Sequence, residues 1–223
     1  MKNKYCFTPF DFAIDILLPN RCPACGTFIP WNKCVCRACY DEFEVNEIDE
    51  PPAFTDKMYV PFIYSGKVKS ALLSMKLDGN KNSARIAAEK IEKQIAEEGF
   101  NLITAVPMEF HHKMQRGFNQ AEFLPNFLHQ LTGLSTNYKI LKHNKIPSAQ
   151  HQLTAEERRH NAENSFSILN KKNLSGKKIL LCDDIITTGA TISACAKLLK
   201  LMGAEFVACA AVAKTKIHFN QSN

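Results

Sequence analysis

The amino-acid sequence predicts an α/β protein with a mostly parallel sheet flanked by helices, preceded by a small four-cysteine module. From Tyr59 onward, apolar strand-like runs alternate with runs that have helical spacing. This alternation favours parallel strands with helices on both faces of the sheet. Before it, five of the nine cysteines lie between Cys22 and Cys39. The composition therefore changes near residue 50.

The predicted elements follow one another with short connections. The predicted strands cover residues 58–64, 102–106, 178–182 and 206–212. The predicted helices cover residues 67–76, 83–98, 119–131 and 191–202, and Gly203 closes the last one. Ligands of such sheets bind beyond the carboxyl ends of the strands, so the loops at those ends are the first place to look for function.

Composition and charge set broad limits. The 223 residues are 45% hydrophobic and 22% charged, which is typical of a folded globular protein. The formal net charge of +6 favours phosphate-bearing ligands or nucleic acid, although an ordinary basic surface explains it equally well. The apolar run 10–18 contains Asp11 and Asp15 and is too short for a membrane span, which needs about 20 residues. It predicts a short amphipathic helix on a cytoplasmic protein without a membrane span.

An acidic, proline-marked stretch at residues 47–52 predicts the domain boundary. Proline stiffens such a link and charge keeps it solvated. We expect an N-terminal helix plus a zinc-binding module over residues 1–50 and the α/β domain over residues 55–223.

Two Cys-x-x-Cys pairs predict a structural zinc site in the N-terminal module. The expected ligands are Cys22, Cys25, Cys36 and Cys39, because each pair places two sulfurs close enough to share one tetrahedral ion. In reducing cytosol, such crowding favours metal over disulfides. Cys34 could replace Cys36, though with worse spacing, and free buried cysteines are the alternative to a metal site. The remaining cysteines lie on apolar faces and are expected in the core: Cys6, Cys182, Cys195 and Cys209.

The most informative segment runs from residue 178 to residue 191. An apolar strand leads into Asp183 and Asp184, then into a short turn, then into a helix. Backbone N–H groups and hydroxyls at a helix N-terminus favour a phosphate, and glycine allows the backbone to approach it closely. The acids repel phosphate but suit ribose hydroxyls or a magnesium ion with its waters. The predicted phosphate loop comprises Thr187, Thr188, Gly189, Ala190 and Thr191.

This segment resembles the phosphoribosyl-pyrophosphate signature of type I phosphoribosyltransferases. In that family the paired acids hold the ribose hydroxyls and the following loop holds the 5′-phosphate. A strand that ends in a simple N-cap would explain one acid but not both acids together with the turn. An NTPase acid pair is a second alternative, but the chain contains no G-x-x-x-x-G-K-[ST] loop.

A basic loop follows the predicted strand 102–106. Arg116 in that loop is the candidate pyrophosphate ligand, because a guanidinium can grip two oxygens at once. The adjacent His111 and His112 are expected to be solvated.

Several short motifs together resemble the ComF family of competence-associated proteins. They are residues 15–19 before the first cysteine pair, 73–79, 106–107, 116–121, the stretch from Gln150 to Phe166, and the acid-pair loop. The resemblance implies a zinc-binding segment joined to a phosphoribosyltransferase-like domain that acts in natural transformation. It also implies that Arg116 lies near the pyrophosphate loop, that Arg158 lies on a flexible loop closing over the ligand, and that Lys76 faces the same cleft.

Three functions remain open from the sequence. The first is a protein that binds phosphoribosyl pyrophosphate with magnesium and engages single-stranded DNA or competence proteins. The second is an active phosphoribosyltransferase, in which Asp183, Asp184 and Arg116 would be catalytic and the acceptor would be an unidentified nucleobase or amine. The third is a binding module that has lost its phosphoribosyl ligand.

Overall fold

The computed structural model describes residues 19–47, 50–109, 114, 117–144, 165–170 and 173–216. The predicted helix at residues 10–18 lies outside this part, as do Cys6, Arg116 and Arg158. Within the described part, no helix is long and apolar enough to cross a membrane.

A parallel sheet forms the centre of the molecule, and its strand order is β1-β7-β6-β3, with β2 also paired to β7. All of these pairings are parallel. The strands are β1 (Lys57–Tyr59), β2 (Phe62–Ile63), β3 (Leu102–Ala105), β6 (Lys178–Ile186) and β7 (Phe206–Lys214). The two central strands, β6 and β7, are the longest, and nearly all their residues are buried or half-buried. Strands covered on both faces read as continuous apolar runs, which is the pattern of the sequence.

Helices cover both faces of the sheet, as predicted. The longer helices are α2 (Gly66–Asp78), α3 (Asn82–Ile95), α4 (Phe123–Thr132) and α5 (Ala190–Leu201), and a 3₁₀ turn (Gln120–Glu122) precedes α4. Leu180 and Cys182 of β6 pack with α2, α3 and α4. Their neighbours Ile179 and Leu181 pack with α5 on the opposite face. The fold class predicted from the sequence is therefore confirmed.

Three details differ from the predicted elements. The strand predicted at residues 58–64 is divided into β1 and β2, which flank Val60 and Pro61, and proline has no N–H to donate to the sheet. The strand predicted at residues 178–182 continues to Ile186 and so includes the acid pair. A two-stranded antiparallel ribbon, β4 (Leu141–His143) with β5 (Phe166–Ile168), was not predicted, because its strands are short.

The cysteine module packs directly against the α/β domain. Its short helix α1 (Arg37–Asp41) leads into Phe43, whose ring meets the ring of Phe62 edge-on at a centroid distance of 5.2 Å. Val45 pairs antiparallel with Phe62, and the backbone N–H of Asn46 donates to the carbonyl of Pro61. The module and helices α2 to α4 therefore share one hydrophobic core.

Candidate ligand site and metal centre

The acid pair lies near the carboxyl end of β6. Asp184 is only 8% exposed and Asp183 is half-buried. Each carboxylate is held by a local hydrogen bond: Asp183 Oδ1 accepts from the N–H of Asp184, and Asp184 Oδ1 accepts from the N–H of Ile185, both at 2.8 Å. Since successive strand residues point to opposite faces, Asp184 faces helix α2 and Asp183 faces helix α5.

The surroundings of Asp183 disfavour its charged form. Burial raises the pKa of Asp183 well above its ordinary value, and the neighbouring charge of Asp184 raises it further. Asp184 Oδ2 is buried and accepts no hydrogen bond of good geometry among the described residues. The ammonium of Lys76 lies 3.1 Å from this oxygen and offsets its negative charge. This edge of the sheet can therefore accept further hydrogen-bond donors or a cation.

Two segments singled out in the sequence meet beside Lys76. Helix α2 ends at Gly79, which adopts a left-handed conformation with φ of +69°. A side chain at this position would come within 3.4 Å of the ring of Phe118. Phe118 in turn stacks on Phe123 at a centroid distance of 5.1 Å. The contact between residues 79 and 118 helps to fix the end of α2 that carries Lys76.

The predicted phosphate loop joins β6 to the N-terminus of α5. Gly189 is the N-cap of this helix and has a φ of +77°, a conformation that side chains rarely adopt. The N–H of Ala190 donates to Thr188 Oγ1, and Thr187 and Thr188 are exposed. The loop therefore presents hydroxyls at a helix N-terminus, where partial positive charge favours an anion.

Residues of the predicted linker pack against this loop. A Cβ atom on Gly189 would lie 2.9 Å from Cβ of Pro52, which is closer than real side chains approach. The nearby Glu50 carbonyl accepts a hydrogen bond of 3.2 Å from Nζ of Lys214 at the end of β7. Lys214 is 3% exposed although it is charged. Sequence reasoning missed these contacts, and the only signal was a lone lysine that ends the apolar run of β7.

Asn119, which lies in one of the ComF-like motifs, has a structural role. Its side-chain oxygen accepts from the N–H of Ala121 and so caps the 3₁₀ turn. Its Nδ2 donates to the carbonyl of Val106 at 3.2 Å. The residue therefore ties the chain that precedes α4 to the end of β3. Arg116 and Arg158, predicted to contact the ligand, lie outside the described residues.

The four predicted zinc ligands come together as a cluster. One sulfur atom from each of Cys22, Cys25, Cys36 and Cys39 lies within 4.8 Å of all the others. The sulfurs of Cys25 and Cys36 are 3.7 Å apart. Tetrahedral zinc with Zn–S bonds of about 2.3 Å requires sulfur–sulfur distances of about 3.8 Å. The arrangement fits a tetrahedral thiolate site, and the buried Cys34 is not part of this set of four.

The surroundings shift the pKa values of two thiols of the cluster in opposite directions. Hydrogen bonds with the side chain and backbone of Thr27 lower the pKa of Cys25 to about 6. Burial raises the pKa of Cys39 well above its ordinary value, and the other cysteines raise it further. Four neighbouring thiolates repel one another unless a cation neutralises them. By contrast, the isolated cysteines Cys182, Cys195 and Cys209 are buried among apolar residues, as predicted.

Comparisons with known proteins agree with this architecture. A phosphoribosyl transferase domain matches residues 133–218. Competence protein F of Haemophilus influenzae is 36% identical over 104 residues, which are 46% of this chain and 45% of that protein. DNA utilization protein YhgH of Escherichia coli K12 is 24% identical over 192 residues, which are 83% of this chain and 80% of that protein.

Among solved structures, a purine phosphoribosyltransferase from Pyrococcus horikoshii is 14% identical, with a TM-score of 0.41 over 59% of this chain and 73% of that one. The chain spans about half the length of the first curated relatives that it matches. Part of the chain is thus similar to the phosphoribosyl transferase domain, and the curated relatives agree with the resemblance to the ComF family that its motifs indicate.

Proposed function

We propose that the α/β domain binds phosphoribosyl pyrophosphate together with Mg²⁺, and that the protein handles single-stranded DNA in natural competence. The observation that carries the first part is the continuous segment from Asp183 to Thr191. It supplies two carboxylates at a strand end and, directly after them, a hydroxyl-bearing turn at a helix N-terminus.

Each part of this segment has a role toward the ligand. Asp183 and Asp184 accept hydrogen bonds from the ribose hydroxyls or from the waters of Mg²⁺. The turn at residues 187–191 holds the 5′-phosphate through N–H groups and hydroxyls. Bound Mg²⁺ neutralises part of the pyrophosphate charge. Lys76 balances Asp184 until the ligand arrives. The ComF resemblance assigns Arg116 to the pyrophosphate side and Arg158 to a flexible loop that closes over the ligand.

The names of the curated relatives and the charge of the chain support the second part. Those relatives are called a competence protein and a DNA utilization protein. The formal net charge of +6 suits a polyanionic partner. We propose that single-stranded DNA, and competence proteins that handle it, are the partners.

We propose that the cysteine cluster holds one structural Zn²⁺. The predicted module, residues 1–50, has few aliphatic side chains and can bury little surface, so the metal supplies folding free energy. All four ligands come from protein thiolates, and a site without an open position is typical of a structural ion.

Isothermal titration calorimetry with phosphoribosyl pyrophosphate and Mg²⁺ tests the ligand site. The variant Asp183→Ala/Asp184→Ala should lose binding by about 10²- to 10⁴-fold, because hydrogen bonds to charged groups contribute roughly 1.5–3 kcal/mol each. The matched control removes two exposed carboxylates elsewhere, Glu97→Ala/Glu205→Ala, and should bind like the parent. If the acid-pair variant remains folded and binds like the parent, this segment is not the site.

An active phosphoribosyltransferase is the second candidate, favoured by the same intact acid pair and loop. In that case the site would also stabilise an oxocarbenium-like ribose while pyrophosphate leaves. Pyrophosphate release, measured across a panel of nucleobases and amines, distinguishes the two. Release with one acceptor establishes the enzyme, and binding without release supports the ligand-binding role.

A further inference from the structure

We infer that the groove between the cysteine module and helix α3 is the binding surface for single-stranded nucleic acid. This groove has a volume of about 940 Å³ and is separate from the acid-pair site. The inference rests on the DNA-handling part of the proposed function and assigns it a location. The side chains that carry the argument are Lys33, Arg37 and Tyr40 on the module, Phe28 at its edge, and Lys90 and Lys93 on α3.

Both walls of the groove carry positively charged side chains, which suit the negative charge of a phosphate backbone. Lys33 stands on one wall beside Arg37, whose Nε donates to the carboxylate of Asp41 at 2.9 Å, and Lys90 and Lys93 stand on the other wall. The acids on the α3 wall are Glu89 and Glu92. Burial raises the pKa of Glu89, while the charges of Arg85 and Lys93 lower it.

Exposed aromatic rings accompany these cations. Tyr40 is 39% exposed and Phe28 is 57% exposed. The ammonium of Lys90 lies 5.7 Å from the ring centroid of Tyr40, and the guanidinium of Arg21 lies 3.8 Å from that of Phe28. Exposed rings interleaved with cations are the arrangement on which unpaired bases stack while their phosphates are neutralised. Stacking requires free base faces, which favours a single strand over a duplex.

The position of the groove separates its function from that of the ligand site. None of its lining residues belongs to β6, to the loop after β6 or to the end of α2 that carries Lys76. One wall includes Cys36, so the cysteine cluster adjoins the proposed surface. Binding of phosphoribosyl pyrophosphate and binding of nucleic acid can therefore be removed independently.

The charge argument is tested by fluorescence anisotropy with a labelled oligothymidylate over a range of salt concentrations. Each phosphate contact to a single strand contributes about −0.7 to the slope of log K against log salt. The variant Lys33→Gln/Lys93→Gln should therefore have a slope shallower by about 1.4 and an affinity about 25-fold lower at 0.1 M salt. The control Lys139→Gln/Lys177→Gln changes the same charge at exposed positions outside the groove and should behave like the parent.

The stacking argument is tested at Tyr40. Tyr40→Ala should weaken binding about 5-fold or more, because one base–aromatic stack contributes roughly 1–3 kcal/mol by alanine substitution, whereas Tyr40→Phe should keep the affinity. Unchanged zinc content and unchanged phosphoribosyl-pyrophosphate binding establish that both variants are folded.

Four results would overturn the inference. Two concern the parent protein: it binds duplex DNA as tightly as single-stranded DNA, or it does not bind the oligonucleotide at low salt. In the other two, both lysine double variants lose the same affinity, or an acidic peptide displaces the oligonucleotide while Tyr40→Ala binds as the parent does. The last would identify a protein partner. If the groove variants behave as expected while the parent does not bind phosphoribosyl pyrophosphate, the nucleic-acid surface is supported and the proposed ligand site is rejected.

Discussion

The cysteine cluster and the acid pair both gather groups that repel one another when ionised, but the chain supports them differently. The cysteines lie on turns and on a helix of five residues, within a span from Cys22 to Cys39. The acids lie on a nine-residue strand that is paired with β7 along its length and with β3 as far as Cys182. We therefore expect the geometry of the cysteine cluster to depend on the proposed ion, whereas the scaffold itself holds the acid pair.

The difference extends to how each cluster is neutralised. Lys76 lies 3.1 Å from Asp184 and supplies an internal cation to the acid pair. For the cysteine cluster, the neutralising cation is the proposed zinc ion. Removing the external ion should therefore damage the cysteine module severely and leave the acid pair folded.

The largest expected effect is loss of the zinc ligand set. Cys36→Ser should lose about one zinc per chain and unfold the module, since structural zinc contributes an apparent binding free energy of roughly 10–16 kcal/mol in small domains. Because Cys39 and Phe43 share a core with α2 to α4, the Tm of the whole protein should also fall. Cys34→Ser should keep the metal. Mass spectrometry of metal content checks both, and equal zinc loss would show that the ligand assignment is wrong.

Gly189→Val tests how the acid-pair loop depends on its packing. We expect from the sequence that a side chain here blocks the 5′-phosphate and also weakens binding of ribose 5-phosphate. The structure adds a clash with Pro52 and a φ of +77°. The expected loss of unfolding free energy is about 2–4 kcal/mol, measured by urea denaturation.

Gly176→Val is the matched control for that clash. Gly176 has a similar φ of +67°, but a Cβ atom there would lie 4.0 Å from its nearest neighbour, Oε2 of Glu205. It should therefore show the backbone strain without the clash. Equal destabilisation of the two variants would mean that the contact with Pro52 contributes nothing.

A double-mutant cycle on Lys76 and Asp184 measures how much their ion pair contributes to the free energy of unfolding. Lys76→Met leaves a buried carboxylate oxygen without its partner and should cost about 1–3 kcal/mol. In the background Asp184→Asn the same change should cost much less, because the charge is already gone. Lys69→Met, at an exposed position of the same helix, serves as the control. Additive effects in the cycle would show that the ion pair does not couple.

The sequence predicted the layered fold and the cysteine cluster because local patterns encode both. Long apolar runs identify β6 and β7, and Cys-x-x-Cys spacing brings two sulfurs together within one turn of backbone. Contacts between distant residues have no such local pattern. The packing of Pro52 on Gly189, the burial of Lys214 and the contact of Phe118 with Gly79 depend on how separate segments meet.

The acid pair shows the same limit at shorter range. The sequence identified Asp183 and Asp184 but ended the strand before them, because carboxylates are unfavourable in a buried sheet. Hydrogen bonding to Ala211 and Ala213 of β7 continues the ladder past Asp183. The small side chains of Ala211 and Ala213 leave room for the charged residues of β6. This room depends on the sequence of β7, so the local sequence of β6 does not reveal it.

The smallest expected effect concerns the charge of Asp183. Burial and the charge of Asp184 raise its pKa in the folded protein above the ordinary value of 3.8. The folded state then binds the proton more tightly than the unfolded chain, so this contribution to stability is present below the ordinary pKa and is lost as pH rises through the folded pKa. Above the folded pKa, the ionised carboxylate therefore destabilises the fold. Asp183→Asn should be about 1 kcal/mol more stable than the parent there.

The pH dependence distinguishes this electrostatic cause from a packing effect. Urea denaturation at a series of pH values that descends toward the ordinary pKa of 3.8 should show the advantage of Asp183→Asn shrinking as the pH falls, because the carboxyl group of the parent takes up its proton. The sign is opposite to that of an ordinary salt-bridged acid, which stabilises the fold when ionised. An advantage that is constant over this range would mean that the amide packs better than the carboxyl group. In that case repulsion between the charges of Asp183 and Asp184 would not affect the stability of the fold.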